Sequence, residues 1–348
     1  MEDMWSERFE DQLLRPLRGH LRSPGLTVTS KLPAAPDGRP AWDCVHEDGR
    51  AEIRLVVPVA ALCENLQTDE AAAPSFALCL AVWLEHMTGA PCGVYVQIVG
   101  CPPPEGSNEL LHFRRSTFLL AEYQALLPET FRVSAAEECR WQWPECPTFH
   151  VEGPRRNRKM PKKGEDLVAR KMALSPQLVA SFSEHVEPVR WFQDKLPMGL
   201  FQRKVANANR WTVAGPSAVD LWAQSASRAQ VHLFELKLAG NQPVGILPEA
   251  FYYARMASYV RTRRGIDFAL RGQGLSAVRA ASQLFMWLSG PGYHPLVWAT
   301  HLGHSAPLAR LNRSLRRHKL TLGILPLAPE ADPPELVYRQ RWQVAEGR

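Results

Sequence analysis

Apolar and polar positions change period several times along this chain, and each change marks an element. Trp5, Phe9, Leu13 and Leu17 recur at helical spacing and predict a helix over residues 1–25 that stops near Pro24-Gly25. Residues 26–32 alternate as a strand does. Residues 41–46 and 52–59 predict two more strands joined at Glu47-Asp48-Gly49-Arg50, a hairpin signal containing Asp-Gly. A helix starts within 60–66 and a stronger one covers 76–87. Residues 93–99 form a near-continuous apolar strand, ended by Cys101-Pro102-Pro103-Pro104, and 110–127 mix a strand with a helix. These elements predict an α+β domain over residues 1–152.

The pattern breaks over residues 153–174. Arg155, Arg156, Arg158, Lys159, Lys162, Lys163, Arg170 and Lys171 crowd a segment with few apolar side chains, which predicts a linker or an exposed basic arm. Ser175-Pro176 then reads as an N-cap followed by proline at the first helical position. The helix after it carries Leu178, Val179, Phe182 and Val186, and a second helix over 189–196 ends before Pro197. Residues 210–214, 218–223 and 231–238 predict a three-strand meander turning at Gly215-Pro216. Helices over 248–263 and 275–288, a strand over 296–299, a helix over 307–318, a strand over 320–327 and a last strand over 336–342 complete the second domain, 175–348. The order αβββαβ predicts a mixed sheet flanked by helices, so the fold class is α/β (α+β) in two domains.

Composition narrows the setting without choosing a function. With 348 residues the chain is long enough for two cores. No run of eighteen apolar residues occurs and the start is acidic, so neither a membrane span nor a signal peptide is expected, and the cytoplasm is the expected location. The seven cysteines include no C-x-x-C pair, which argues against a zinc ribbon and a disulfide framework. The net charge of +6 permits a nucleic-acid partner.

The second domain carries the candidate chemistry. Asp220 closes an apolar run, and Glu235 and Lys237 share one face of the next strand by period-two alternation. Two acids and a lysine thus converge at a hairpin edge, where hard oxygen ligands suit Mg2+ and an ammonium can hold a water. The alternative is a solvated ion pair, worth little. Against it, the strand is otherwise apolar and a helix must cover it, so its charges need partners or a metal.

Asp, then Glu-x-Lys on a following strand, resembles the PD-(D/E)XK nuclease superfamily. Ser217-Ala218-Val219-Asp220-Leu221-Trp222, Phe234-Glu235-Leu236-Lys237 and Asn241-Gln242-Pro243-Val244-Gly245-Ile246 follow in the order of RecB-like members, over roughly residues 185–265. Glu249 and Tyr253, four apart on one helix face, resemble that group's Q-x-x-x-Y motif with Glu in place of Gln. The resemblance implies a restriction-endonuclease-like fold and a Mg2+-dependent nuclease, with Mn2+ able to substitute. Asp220, Glu235 and the carbonyl of Leu236 would hold the metal. Lys237 would orient or activate a water, Asn241 and Gln242 could contact phosphate, and an upstream helix would add an acid from Glu184, Glu187 or Asp194. DNA or RNA would be the substrate, gripped by the basic arm and by arginines of the later helices. The first domain would recognise substrate, a ligand or a partner protein. The rival reading is a catalytically silent nuclease-fold module that binds nucleic acid or protein. A looser Asp43…Glu52-Ile53-Arg54 in the first domain is read as the polar face of a hairpin, with a second, degenerate nuclease-like fold as its alternative.

Overall fold

In this computed structural model the described residues are 14–23, 42–47, 50–149, 161, 163–213, 218–238, 245–262, 273–299, 302–328 and 335–337. Strands β1 (Trp42–Glu47) and β2 (Arg50–Pro58) pair antiparallel. Ile53, Leu55 and Val57 alternate inward from β2, whereas Glu52, Arg54 and Val56 stay partly or fully exposed. After the short helix Val59–Leu62 comes helix α1 (Asp69–Thr88), opened by the Thr68 side chain accepting from the Ala71 N–H and closed by Gly89 in the left-handed region at φ 70°. Residues 71–84 of α1 are buried on every side, the mark of a helix enclosed between layers. Strand β3 (Cys92–Val99) returns parallel to β2, helix α2 (Asn108–Leu126) follows, and β4 (Phe131–Ser134) adds parallel to β3.

The second half begins with helices α3 (Gly164–Ala173) and α4 (Pro176–His185). Strands β5 (Val189–Pro197), β6 (Ala218–Ser225) and β7 (Gln230–Leu236) form an antiparallel meander. Helix α5 (Ile246–Thr262) and α6 (Gln273–Ala280) lead to β8 (Gln283–Ser289), parallel to β7. Helix α7 (Ala306–Leu315) then leads to β9 (Leu320–Ile324), parallel to β8. The sheet order is β9-β8-β7-β6-β5, beside a four-stranded sheet ordered β1-β2-β3-β4.

The two halves follow one plan. In each, an antiparallel hairpin is followed by a crossover helix, a parallel strand, a second crossover helix and another parallel strand. Their helices meet in the middle: α1 packs on α7, and α2 packs on α5. One continuous hydrophobic core runs through both halves, while α3 and α4 bury a second cluster on the far face of the five-stranded sheet. The Trp83 indole, fully buried on α1, donates to the Leu296 carbonyl at 2.8 Å. Arg255 on α5 pairs with Glu122 on α2 at 2.5 Å, and Tyr259 donates to the same carboxylate at 2.6 Å. These ties put the halves in fixed register.

Several expected elements differ. Residues 189–196 are a strand, not a helix. A bulge between Val189 and Phe192 spaces the buried Val189, Phe192 and Leu196 three and four apart, which imitates a helical face. This strand, rather than 210–214, opens the meander, and Arg210 only bridges Phe201. The expected helix 275–288 ends at Ala280, and Leu284–Leu288 belong to a central parallel strand buried on both faces, which shows no alternation. Residues 296–299 make a turn and one bridge, Ala299 with His304, instead of a strand. Residues 110–127 are one helix throughout their first seventeen positions, because the Ser107 hydroxyl caps α2 at the Leu110 N–H. The expected linker's last part is helix α3, packed on β5 and β6 through Ala169 and Met172. The last strand is seen as Glu335–Leu336, and residues 26–32 and the Gly215-Pro216 turn lie outside the described residues. Among the described residues no helix is long and apolar enough to cross a membrane.

Candidate active site

Strand β7 runs buried from Val231 to Phe234, apolar but for His232, and then delivers Glu235, Leu236 and, one residue past its end, Lys237. Asp220 stands beside Glu235 on β6, one position before the Leu221–Phe234 pair. All three charged side chains are buried: Asp220 is 5 %, Glu235 2 % and Lys237 1 % exposed. Charges so enclosed must be compensated in place. Lys237 Nζ donates to Glu235 Oε1 at 2.6 Å and lies 3.3 Å from Glu249 Oε2 and 3.7 Å from Glu165 Oε2. Asp220 Oδ2 accepts the Leu236 N–H at 2.9 Å, and Oδ1 accepts from Lys195 Nζ at 2.7 Å. Leu236 therefore serves the site through its amide. The other Glu235 oxygen, Oε2, is buried and accepts no hydrogen bond among the described residues, while the Glu235 carboxyl stands within hydrogen-bond reach of the Glu249 carboxylate.

Lys195 was not expected from the sequence. It lies on β5 opposite Asp220, between the Asp194–Leu221 and Leu196–Val219 pairs, with φ 57°. That left-handed backbone is costly for a lysine and marks a position held by its surroundings. The same ammonium reaches Asp166 at 2.7 Å. The upstream acids are also new: Glu165 and Asp166, in the first turn of α3, face the two lysines. Of the expected acids, Glu184 is exposed, Glu187 does not line the pocket, and Asp194 pairs with Arg170 at 3.0 Å. Glu184 is on α4, Glu187 lies in the connection between α4 and β5, and Asp194 alternates with Lys195 and so lies on the other face of β5. Glu249 does join the site from the first turn of α5, and Tyr253, 2 % exposed, lines the pocket one turn later.

The first half supplies the opposite wall. Gln67 Nε2 donates to Glu249 Oε2 at 2.7 Å across 182 residues of sequence. A Cβ on Gly245, just ahead of α5, would stand 2.6 Å from the Gln67 Cα and 2.8 Å from the Leu66 carbonyl oxygen, so only glycine admits this approach. Asn65, Gln67, Asn108, His112 and Arg115 line one side of a pocket of about 360 Å³, with Asp220, Glu235, Glu249 and Lys195 on the other. The pocket opens at the carboxyl end of β7, the usual place for a site in α/β sheets.

Proximity of like charges sets the protonation. Burial, then Asp220 and Glu249, push the Glu235 carboxyl well above the usual carboxylate range. Burial opposes the charge on Lys237, but Glu235, Glu249 and Asp220 outweigh it and raise its pKa. Glu249 is also opposed by burial, yet Lys237, Arg115 and the Gln67 bond hold it below its ordinary value. Lys195 is raised in the same way by Asp220 and Asp166.

Among the described residues no group of three or more His, Cys, Asp or Glu is placed to hold a metal ion. The donor set still fits Mg2+, which takes one or two carboxylates and keeps waters. Glu235 Oε2 is a hard, buried acceptor without a donor, and three neighbouring carboxylates repel one another where a dication would relieve them. Asn241, Gln242, Arg155, Arg156, Arg158, Lys159 and Lys162 lie outside the described residues, and Lys163 is exposed ahead of α3. Of the arginines of the later helices, Arg310 pairs with Glu85 and Thr130 and Arg261 with the His318 carbonyl, whereas Arg313, Arg316 and Arg317 are exposed and Arg263 and Arg264 lie outside the described residues. Among family models, curated proteins and solved structures, nothing matches the chain.

Proposed function

We propose that the chain is a metal-dependent nuclease that hydrolyses phosphodiester bonds of DNA or RNA. The observation that carries this reading is the meeting of Asp220, Glu235 and Lys237 at the strand ends, with Glu235 Oε2 buried beside a pocket and accepting no hydrogen bond among the described residues. Asp220 and Glu235 would hold Mg2+ or Mn2+. When bound, the metal supplies Lewis-acid stabilisation of the phosphate oxygens and a more acidic water. The chain's own residues then have defined tasks. Glu235 and Glu249, with Asp220 and Glu165, keep Lys237 protonated, so it orients the attacking water as a hydrogen-bond donor and does not take its proton. Gln67 fixes Glu249, and Lys195 fixes Asp220. The enclosed walls keep the local dielectric low, which strengthens each of these interactions.

The rival, a silent nuclease-fold binding module, is favoured by one observation: Lys195 and Lys237 already neutralise Asp220 and Glu235 within hydrogen-bond distance. Cleavage decides between them. Wild-type protein with Mg2+ or Mn2+ is offered single- and double-stranded DNA and RNA. Cleavage is expected, and Asp220→Asn or Glu235→Gln is expected to reduce it at least about a hundredfold. No cleavage of any substrate, together with no metal binding by calorimetry, would leave the module as the better account.

A further inference from the structure

The pocket wall opposite the carboxylates holds a cation that Glu249 feels across the pocket but that no carboxylate of the described residues contacts. Arg115 on α2 is 4 % exposed, and among the described residues it forms no ion pair. Among the described residues its Nη2 donates to neutral groups, Asn65 Oδ1 at 3.3 Å and His112 Nδ1 at 3.4 Å, and its buried Nε finds no hydrogen-bond acceptor. His112 is kept neutral by burial and by the guanidinium itself. Burying an arginine on these terms costs stability that two long hydrogen bonds do not return. Asn108, His112 and Arg115 are spaced i, i+4 and i+7, so they stand on one face of α2, and all three line the pocket.

We propose that Arg115, with His112, Asn65 and Asn108, forms an anion subsite that takes a backbone phosphate of the substrate. The subsite rests on the nuclease reading for the identity of that substrate. A guanidinium presents a planar fork that matches two phosphate oxygens. The second half brings carboxylates for a metal, and the first half brings the cation and amides for phosphate. A phosphodiester laid between them would be gripped by both halves at once. Catalytic and binding groups would thus come from different halves of one chain.

The test reads binding without metal. In EDTA, the full chain is titrated into a short, end-labelled single-stranded oligonucleotide, followed by anisotropy, with inorganic phosphate as competitor. Wild-type protein is expected to bind and phosphate to displace the oligonucleotide. Arg115→Met is expected to weaken binding roughly tenfold to a hundredfold, the loss of one or two charge-assisted bonds. Its melting temperature should hold or rise, because an unpaired buried charge is replaced by apolar volume. Binding by Arg115→Met equal to wild type, or no binding by either, would overturn the subsite. Should Arg115→Met fail to fold, Arg115→Lys decides: a folded protein with clearly weaker binding supports the fork, and unweakened binding overturns it. Failure of the nuclease reading looks different. Wild type would then cleave nothing with metal, while the Arg115 dependence in EDTA remains. An active Arg115→Met with unchanged KM would sink the subsite alone.

Discussion

The ends of β2 and β7 occupy matching places in the two halves and could hardly differ more in content. Strand β7 finishes in Glu235 and Leu236 before Lys237, all buried, whereas β2 finishes in Leu55, Val56, Val57 and Pro58. The fold therefore does not need charge at that edge, since apolar residues close the first sheet well. Buried charge at the second edge is an expense that stability does not explain. The charged trio of the first half sits elsewhere. Glu52 is the third residue of β2, at the opposite end from the position matching Glu235, and it pairs with Arg54 at 2.9 Å and with Arg132. The plan of the fold is repeated, but the Asp43, Glu52 and Arg54 positions do not repeat the site.

Removing Lys237 should break this contrast most severely. Lys237→Met leaves Glu235 and Glu249 buried without their cation, and should cost about 3–5 kcal/mol near neutral pH, read by denaturant melts. The sign with pH is distinctive. Glu235 has a raised folded-state pKa, so its favourable contribution is full below about 4.5 and is lost as pH rises through the folded value. The variant should regain stability on acidification toward that value. A double variant, Glu235→Val with Lys237→Met, imitates the end of β2 and should recover most of the loss while abolishing cleavage. If it stays as unstable as the single variant, the two edges are not interchangeable.

The contact between halves comes next. Gly245→Ala forces a Cβ against the 65–67 backbone and should cost about 1–3 kcal/mol, with the Gln67–Glu249 bond broken. Its effect on cleavage should exceed that of Gln67→Ala, which leaves the backbone in place. Equal activity in wild type and Gly245→Ala would show that the first half's wall does not matter. The smallest effect belongs to the first half's own trio. Glu52→Gln should change stability by less than about 1 kcal/mol and leave cleavage alone, because its pairs are partly exposed. A large loss of cleavage there would reverse the comparison.

The sequence showed Asp220, Glu235 and Lys237 because they lie close together on a hairpin whose alternation is regular. Glu249 and Tyr253 were visible through a four-residue spacing on one helix. Lys195 stayed hidden, because the bulge in β5 gave that strand a helical rhythm. Glu165 and Asp166 were lost in the charge density of a segment that looked unable to bury itself, although Ala169 and Met172 anchor it. Gln67 and Arg115 reach the pocket only through the packing of one half on the other, which no local pattern encodes. The spacing Asn108, His112 and Arg115 was the one readable trace, blurred where α2 was taken for a strand and helix together.

The crossed packing of α1 on α7 and α2 on α5 has the form of an isologous interface, in which each copy offers the same patch to the other. In a true homodimer every change would appear twice, and two identical sites would have to serve every task. Joined in one chain, the copies are released from that symmetry. One half can carry buried acids and the other a buried arginine, without either arrangement having to appear twice.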